Sequence, residues 1–99
     1  MAGKRQMFTK PMTLVGNHAR ETSLTSAKVL ATPANANVVM IQAITQNVRY
    51  SLDGTVPSAS QGFRLAAGAL VTIAVGGDMT LTVIGELLGA SVEYQWGKN

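Results

Sequence analysis

The sequence predicts a small all-β protein: an antiparallel β-sandwich or jelly-roll-like barrel of about six to eight short strands, with an extended N-terminal arm. From Met12 onward, apolar residues recur with a period of two in short runs, which is typical of strands that bury one face. The turn-forming residues Gly, Pro, Asn and Asp separate these runs. At 99 residues the chain has room for one domain. We therefore predict an arm over residues 1–11 and a single β-sandwich domain over residues 12–99.

The first two strand candidates differ in strength. Leu24 to Leu30 is a weak candidate, whereas Val38 to Ile44 is a nearly continuous apolar run interrupted by Gln42. Such a run suits a central strand that is buried on both faces better than an edge strand. We therefore expect Val38 to Ile44 in the middle of a sheet.

Four later runs alternate apolar residues with small or polar ones, so each has one core face. In the last run, the parity that Tyr94 and Trp96 share with Val92 favours core packing over stacking on a sugar or a base. The predicted core-facing residues of the four runs are Val48, Tyr50 and Leu52; Val71, Ile73 and Val75; Met79, Leu81 and Val83; and Val92, Tyr94 and Trp96.

Two pairs of residues between the runs predict turns. At Asp53-Gly54, the Asp side chain can bond the nearby backbone and glycine accepts a positive φ. Gly76 and Gly77 stand between two alternating runs, which predicts a hairpin there. We assign Asp53, Gly54, Gly76 and Gly77 as structural turn residues.

The composition leaves few charges for the surface. Hydrophobic residues make up 46% of the chain and charged residues 13%, whereas a typical soluble domain has about 25% charged residues. Two interpretations are open: a monomer covered by Ser, Thr, Asn and Gln, or a subunit that buries part of its outer surface against copies of itself or a partner. We favour the subunit and expect a homo-oligomer.

Positive charge is concentrated in the arm. The formal net charge is +3, and the first ten residues contain three cations and no acid, whereas residues 11–99 carry five basic and five acidic residues. A nucleic-acid-binding domain usually spreads Lys and Arg over one face and interleaves aromatic residues, so we expect no direct nucleic-acid binding. We expect the arm to dock on a partner. Its candidate docking residues are Lys4, Arg5, Met7, Phe8 and Lys10.

Several classes of protein are excluded or disfavoured. The chain has no cysteine, which excludes thiolate catalysis, cysteine-ligated zinc and a disulfide framework. The basic N-terminal residues are not followed by the apolar stretch of a secretory signal, and no apolar run approaches the length of about 18 residues that spans a membrane. We therefore expect no membrane partner, and assembly in the cytoplasm of the cell that makes the protein.

The candidate catalytic and metal-binding residues form no recognisable constellation. His18, the single histidine, lies in the polar stretch Gly16 to Glu21 without an activated nucleophile nearby, so we interpret it as a solvated loop or interface residue. Asp53 and Asp78 adjoin glycines, and turn formation is favoured over calcium binding because too few oxygen ligands surround them. We predict no catalytic residue, no metal and no cofactor.

The middle third of the chain carries an ordered series of residues. A strand ending in Ile-Gln is followed by a Val-Arg-aromatic strand, an Asp-Gly-Thr turn, a Pro-Ser-Ala loop and a Gly-x-Arg-Leu-x-x-Gly segment. This series resembles a pattern that recurs in small virion proteins of tailed bacteriophages. The residues that fit it are Gln42, Val48, Arg49, Tyr50, Asp53, Gly54, Thr55, Pro57, Gly62, Leu65 and Gly68.

The resemblance implies a non-enzymatic β-sandwich carried in many copies on a phage virion. We expect a capsid decoration or cement protein that binds its own copies and the major capsid protein or another virion protein. A head-tail connector, tail or fibre component is equally compatible with the pattern. A carbohydrate-binding β-sandwich is an alternative of a different class, although the chain has only five aromatic residues to offer a sugar.

Overall fold

The computed structural model describes residues 12–76 and 79–99. These residues form eight strands and no helix. The strands are β1 (Thr13–Glu21), β2 (Lys28–Leu30), β3 (Val38–Ile44), β4 (Val48–Ser51), β5 (Phe63–Leu65), β6 (Leu70–Ala74), β7 (Leu81–Gly85) and β8 (Ser91–Lys98).

The eight strands form two four-stranded antiparallel sheets, which confirms the predicted small β-sandwich. Sheet A has the order β1-β8-β3-β6, and sheet B has the order β2-β7-β4-β5. One hydrophobic core lies between the sheets, because each strand turns its apolar face inwards. Its buried residues are Leu24, Leu30, Val39, Ile41, Ala43, Val48, Leu65, Ile73, Val75, Leu81, Val83, Ala90, Val92 and Trp96.

Strand β3 is the inner strand that the sequence predicts. It pairs with β8 on one side and with β6 on the other, so that Val39 lies between Trp96 and Ile73. The prediction that both faces are buried is only partly correct. Val39 and Ile41 are buried on the core face, while Met40 on the outer face is half-buried. Sheet B covers only the core face of this strand.

The alternating runs become β4, β6, β7 and β8, with the predicted apolar residues on the core side. Seven of these twelve residues are buried and five are half-buried, which confirms the predicted core faces. Those in the core are Val48, Ile73, Val75, Leu81, Val83, Val92 and Trp96, and those packed against it are Tyr50, Leu52, Val71, Met79 and Tyr94.

The hairpin predicted at Gly76 and Gly77 is wrong. Strands β6 and β7, which flank these glycines, belong to different sheets: β6 pairs with β3, and β7 pairs with β2 and β4. Gly76 still takes part in a turn, because its carbonyl accepts a hydrogen bond from the Met79 N–H at 3.2 Å. Gly77 lies outside the described residues. Glycine pairs permit a tight reversal, but they do not decide whether the chain returns to the same sheet or crosses to the other.

The N-terminal part of the sandwich also differs from the prediction. The polar stretch from Gly16 to Glu21, interpreted as a loop, belongs to β1, which pairs with β8. Its apolar alternation is too weak to predict a strand, and the backbone pairing with β8 supplies the order. The weak candidate from Leu24 to Leu30 is a strand only over Lys28–Leu30. The arm residues Lys4, Arg5, Met7, Phe8 and Lys10 lie outside the described residues.

Two short crossings determine which strands face each other. Residues 45–47 lead from β3 to β4, and residues 66–69 lead from β5 to β6. The crossings are bonded to one another, since the Ala67 N–H donates to Asn47 Oδ1 at 2.8 Å and the Gly68 N–H donates to the Ala43 carbonyl at 2.8 Å. The edge strands β5 and β6 therefore lie on the same side of the sandwich, and β1 lies at the opposite edge of sheet A.

Candidate docking surface

The connection from β4 to β5 forms a folded loop over residues 52–62, which begins with the predicted Asp53-Gly54 turn. Asp53 Oδ1 accepts a hydrogen bond from the Thr55 N–H at 3.0 Å, and Gly54 has a φ of +88°. The turn is therefore confirmed, with glycine at the position that needs left-handed backbone. The hydrogen bond from the Thr55 backbone lowers the pKa of Asp53, so this exposed carboxylate is ionised at neutral pH.

Further contacts fold the 52–62 loop back onto β4. Ser51 Oγ donates to the Thr55 carbonyl, and Ser58 and Gln61 exchange two backbone hydrogen bonds of 2.9 and 3.3 Å. Pro57 is buried beneath the loop. Gly62 has a φ of +129°, and a Cβ there would lie 3.1 Å from the Tyr50 carbonyl oxygen. The loop is thus held by its own backbone and has no space for a side chain at Gly62.

A cluster of charged residues on the outer face of sheet B, the Glu86 cluster, ties the loop to the β7–β8 connection. Arg49 Nε and Arg64 Nε both donate to Glu86 Oε2, at 2.7 and 3.0 Å. Arg49 also donates to the Gly62 carbonyl at 3.0 Å. Arg49 and Arg64 are direct partners across β4 and β5, which brings both guanidinium groups to one carboxylate.

The pKa of Glu86 lies below its ordinary value. The side chain is only 15% exposed, and this removal from water acts to raise the pKa, but the hydrogen bond from Arg49 and the charge of Arg64 outweigh it. Glu86 is therefore a carboxylate shared by two arginines, and its interactions secure β4, β5 and the end of β7 together.

Beside the loop lies an open pocket of about 440 Å³, at the place where β4 ends and β5 begins. We call it the end pocket. Its aromatic wall consists of Tyr50 and Phe63, whose ring centroids are 5.6 Å apart with an angle of 41° between the ring planes. Among the lining residues that the structure describes, Asp53 is the one ionisable side chain apart from the Tyr50 phenol. The lining residues are Tyr50, Ser51, Leu52, Asp53, Thr55, Val56, Pro57, Gln61, Gly62 and Phe63.

Large apolar side chains around the end pocket are exposed to solvent. Phe63 is 63% exposed and Val56 is 72% exposed. Phe63 shares the core-facing side of β5 with Leu65, which is buried, so its exposure arises because sheet A does not cover that end of the strand. The sequence patterns above did not predict a strand or an exposed aromatic side chain at Phe63. The alternation of Phe63 with Leu65 would have indicated a strand, but not that the Phe63 side chain is uncovered.

The residues on which the sequence resemblance rests have structural roles around this loop. Val48 and Leu65 are buried partners across β4 and β5. Gln42 Nε2 donates to the Gly68 carbonyl at 3.1 Å and so connects β3 to the crossing before β6. Together with the turn at Asp53 and the contacts of Arg49, these residues build the support of the end pocket.

His18 lies on the outer face of sheet A, at a distance in sequence from the residues that contact it. Its side chain is 60% exposed, and in the described part of the chain its ring bonds Glu93 and no hydroxyl group. Arg20 contacts the other oxygen of Glu93. The hydrogen bond from His18 lowers the pKa of Glu93, assisted by Arg20. The nearby Glu21 considered from sequence is not the partner, and the arrangement is an exposed ion-pair cluster without a nucleophile.

The remaining candidates from the sequence have ordinary structural positions. Trp96 is only 6% exposed and packs edge-on against Tyr94, with ring centroids 6.3 Å apart, so the core-packing interpretation is confirmed. Within residues 12–76 and 79–99, His, Asp and Glu side chains form no group of three or more that could hold a metal ion. No helix long and apolar enough to cross a membrane occurs in those same ranges.

No protein-family model and no curated protein sequence matches this chain.

Proposed function

We propose that this protein is a non-enzymatic structural subunit of a bacteriophage particle, a capsid decoration or cement protein that binds the shell and its own copies. The observation that carries the proposal is the 52–62 loop with the end pocket. Here a set of buried and hydrogen-bonded residues holds two apolar side chains, Val56 and Phe63, out in solvent. Exposed apolar side chains on a rigid support are typical of a surface that binds another protein.

The composition of the outer surface supports the same proposal. Charged residues make up only 13% of the chain, and five of the charged side chains of the described residues pair with one another in the Glu86 cluster and around Glu93. Those five are Arg20, Arg49, Arg64, Glu86 and Glu93. Such a surface can pack against a neighbouring subunit without burying unpaired ions, which would otherwise cost several kcal/mol each.

The resemblance of residues 35–68 to small phage virion proteins supports a virion as the assembly. The residues that carry the resemblance build the loop and its support, so the similarity concerns the same part of the molecule as the exposed apolar side chains. A decoration protein acts by adhesion to a repeating shell, and this activity requires a stable domain and a docking surface but no reacting group. Head-tail connector, tail and fibre proteins share these requirements.

A carbohydrate-binding module is the second candidate, and the end pocket is the observation in its favour. The exposed ring of Phe63 next to Tyr50 could stack on a sugar ring, and Asp53 and Gln61 could bond hydroxyl groups. The variant Phe63→Ala distinguishes the two candidates. It should weaken binding to shell protein if the chain is a decoration protein, and binding to immobilised oligosaccharides if it is a carbohydrate-binding module.

The test of the leading proposal is a mass measurement in solution at tens of micromolar. The full chain is measured alone and together with the major shell protein of the phage whose genome encodes it. We expect an oligomer, a complex with the shell protein, or both, because burying the exposed side chains of Val56 and Phe63 against another protein removes them from water. A monomer that does not bind the shell protein would contradict the proposal, as would a gene that lies outside any phage or prophage.

A further inference from the structure

We propose that the end pocket receives the N-terminal arm of a second copy of this chain, with Met7 and Phe8 against the aromatic wall and the arm's cations near Asp53. The inference rests on the proposed function, since it names the contact through which copies associate. It follows from the uncovered face of β5, from charge, and from the reach of the arm.

Among residues 12–76 and 79–99, no strand covers the end pocket. Tyr50 pairs with Phe63 across β4 and β5, and the next pair on the same face, Val48 with Leu65, is buried in the core. The core-facing side of sheet B thus extends beyond the part that sheet A covers. An apolar segment placed on Phe63 would extend the core by one layer and remove this ring from water.

Charge complementarity favours the N-terminal arm as the segment that binds in the end pocket. Asp53 is ionised at neutral pH and is the charged side chain among the described residues that line the pocket. The neighbouring Arg49 and Arg64 lie on the opposite face of sheet B, where Glu86 holds them. Residues 1–10 carry three cations, no acid, and the apolar pair Met7-Phe8, whereas the rest of the chain is neutral. The arm therefore combines the apolar side chains and the sign of charge that the pocket requires.

The reach of the arm indicates a second copy as its source. The arm joins the sandwich at Met12, next to β1 and against Gly97. Strand β6 lies three strand spacings from β1 across sheet A, a distance of roughly 14 Å. Strand β5 is at the corresponding edge of sheet B, and the two sheets are about 10 Å apart. The direct line of roughly 17 Å passes through the core, and a path over the surface is longer.

Phe8 precedes Met12 by four residues, which span at most about 14 Å when fully extended. Phe8 therefore falls short of the end pocket of its own chain. A neighbouring subunit has no such limit, because its arm can approach the pocket from solvent. Repeated exchange of arms would link each copy to the next, which suits a protein that covers a repeating shell.

Disulfide crosslinking tests this contact cleanly, since the chain has no cysteine of its own. One sample carries Thr9→Cys, next to Phe8, and the other carries Gln61→Cys in the pocket lining. We expect disulfide-linked dimers when the two full-length variants are mixed and oxidised. The matched control is Thr72→Cys, an exposed position on the outer face of β6, which should give few dimers with Thr9→Cys. Equal crosslinking to both positions would overturn the proposal.

The double variant that carries Thr9→Cys and Gln61→Cys in one chain separates the two possible sources of the arm. A disulfide between chains supports a second copy, and one that forms only within single chains overturns the proposal. Crosslinking that is absent while the unmodified protein is oligomeric or bound to shell protein overturns this inference alone. A protein that is monomeric and does not bind shell contradicts the proposed function as well.

Self-association of full-length variants gives an independent measurement. Phe8→Ser and Phe63→Ser should each weaken association by about tenfold or more, because each removes one apolar side chain from the contact between Phe8 and Phe63. Leu70→Ser is the matched control, an exposed leucine on β6 that should leave association unchanged. Asp53→Asn keeps an oxygen for the Thr55 N–H and should reduce the salt dependence of association. If Phe63→Ser abolishes only oligosaccharide binding, the pocket is a sugar site and the inference is wrong.

Discussion

Gly54 and Gly85 show two different reasons for glycine at single positions in this fold. Gly54 has a φ of +88° with no atom within 4 Å of the place where a Cβ would lie, so the constraint is purely one of backbone conformation. Gly85 ends β7, and a Cβ there would overlap Ala90 Cβ, so the constraint is one of close packing. At Gly54 the cost of a substitution depends on how well the new residue tolerates left-handed backbone. At Gly85 any side chain is unfavourable, because its Cβ has no space.

Replacing Gly54 by valine should lower the free energy of unfolding by about 1–3 kcal/mol, because a β-branched residue strains left-handed backbone. Gly54→Asn is the matched control and should cost less, since asparagine tolerates this conformation. The measurement is urea unfolding of both variants. Equal stability of Gly54→Val and the unmodified protein would mean that the turn adopts another backbone conformation.

Replacing Gly85 by alanine should lower the free energy of unfolding by about 1–3 kcal/mol, because the new methyl group enters a filled part of the core. Gly97→Ala is the control: the three atoms nearest to a Cβ at Gly97 all belong to the flexible side chain of Met12, which can move aside. Thermal unfolding should therefore show a larger loss for Gly85→Ala than for Gly97→Ala. The reverse order would contradict the close contact between Gly85 and Ala90.

At the scale of secondary-structure elements, the Glu86 cluster joins parts of the chain that are far apart in sequence. Two arginines on the paired strands β4 and β5 meet a carboxylate from the connection after β7. The bond from Arg49 to the Gly62 carbonyl extends the cluster to the 52–62 loop. Protonation of Glu86 should therefore weaken the contacts that hold the 52–62 loop beside the end pocket, as well as those between the strands of sheet B.

The stability of the protein should fall in acid through the Glu86 cluster. The folded state lowers the pKa of Glu86 below the ordinary value of 4.5, so its contribution is present above about pH 4.5 and is lost as the pH falls through the lower, folded-state pKa. Glu86→Gln should be less stable at neutral pH and should lose less stability on acidification. Gly54→Val is the control, since it destabilises the fold but keeps the carboxylate. Equal acid dependence of Glu86→Gln and the unmodified protein would contradict this role.

At the scale of the whole molecule, we expect the sandwich and the arm to have separate tasks. The core that holds the sheets together lies within the described residues and draws on both sheets. The arm carries the excess positive charge. We therefore expect stability to depend on the sandwich and assembly to depend on the arm.

Deletion of residues 2–10 should leave the melting temperature unchanged and weaken assembly. Burial of Met7 and Phe8 on a partner could contribute about 3–6 kcal/mol before the cost of ordering the arm. The cationic part of this binding should weaken with salt, while the apolar part should not. The measurement compares melting temperature with occupancy on oligomers or assembled particles. A deletion that prevents folding would make the arm part of the core, and full occupancy would mean that the arm has no role in assembly.

How far the sequence predicts this structure varies between elements. Period-two alternation is sufficient for β4, β6, β7 and β8, because each of these strands buries one face. It fails for β1, where exposed polar residues alternate with few apolar ones and the pairing with β8 supplies the order. It also fails at Gly76, because the hydrogen bonds that assign β6 and β7 to different sheets come from strands distant in sequence.

The same division applies to the candidate site. The sequence by itself determined the all-β class, the inner position of β3, the turn at Asp53-Gly54 and the separation of a basic arm from a neutral body, because local periodicity, turn chemistry and composition carry this information. Only the tertiary structure decided that Glu86 meets two arginines and that Phe63 is uncovered. The first depends on the pairing of β4 with β5 and β7 within sheet B, and the second depends on where sheet A ends relative to sheet B. Both are properties of long-range packing that no local stretch of residues contains.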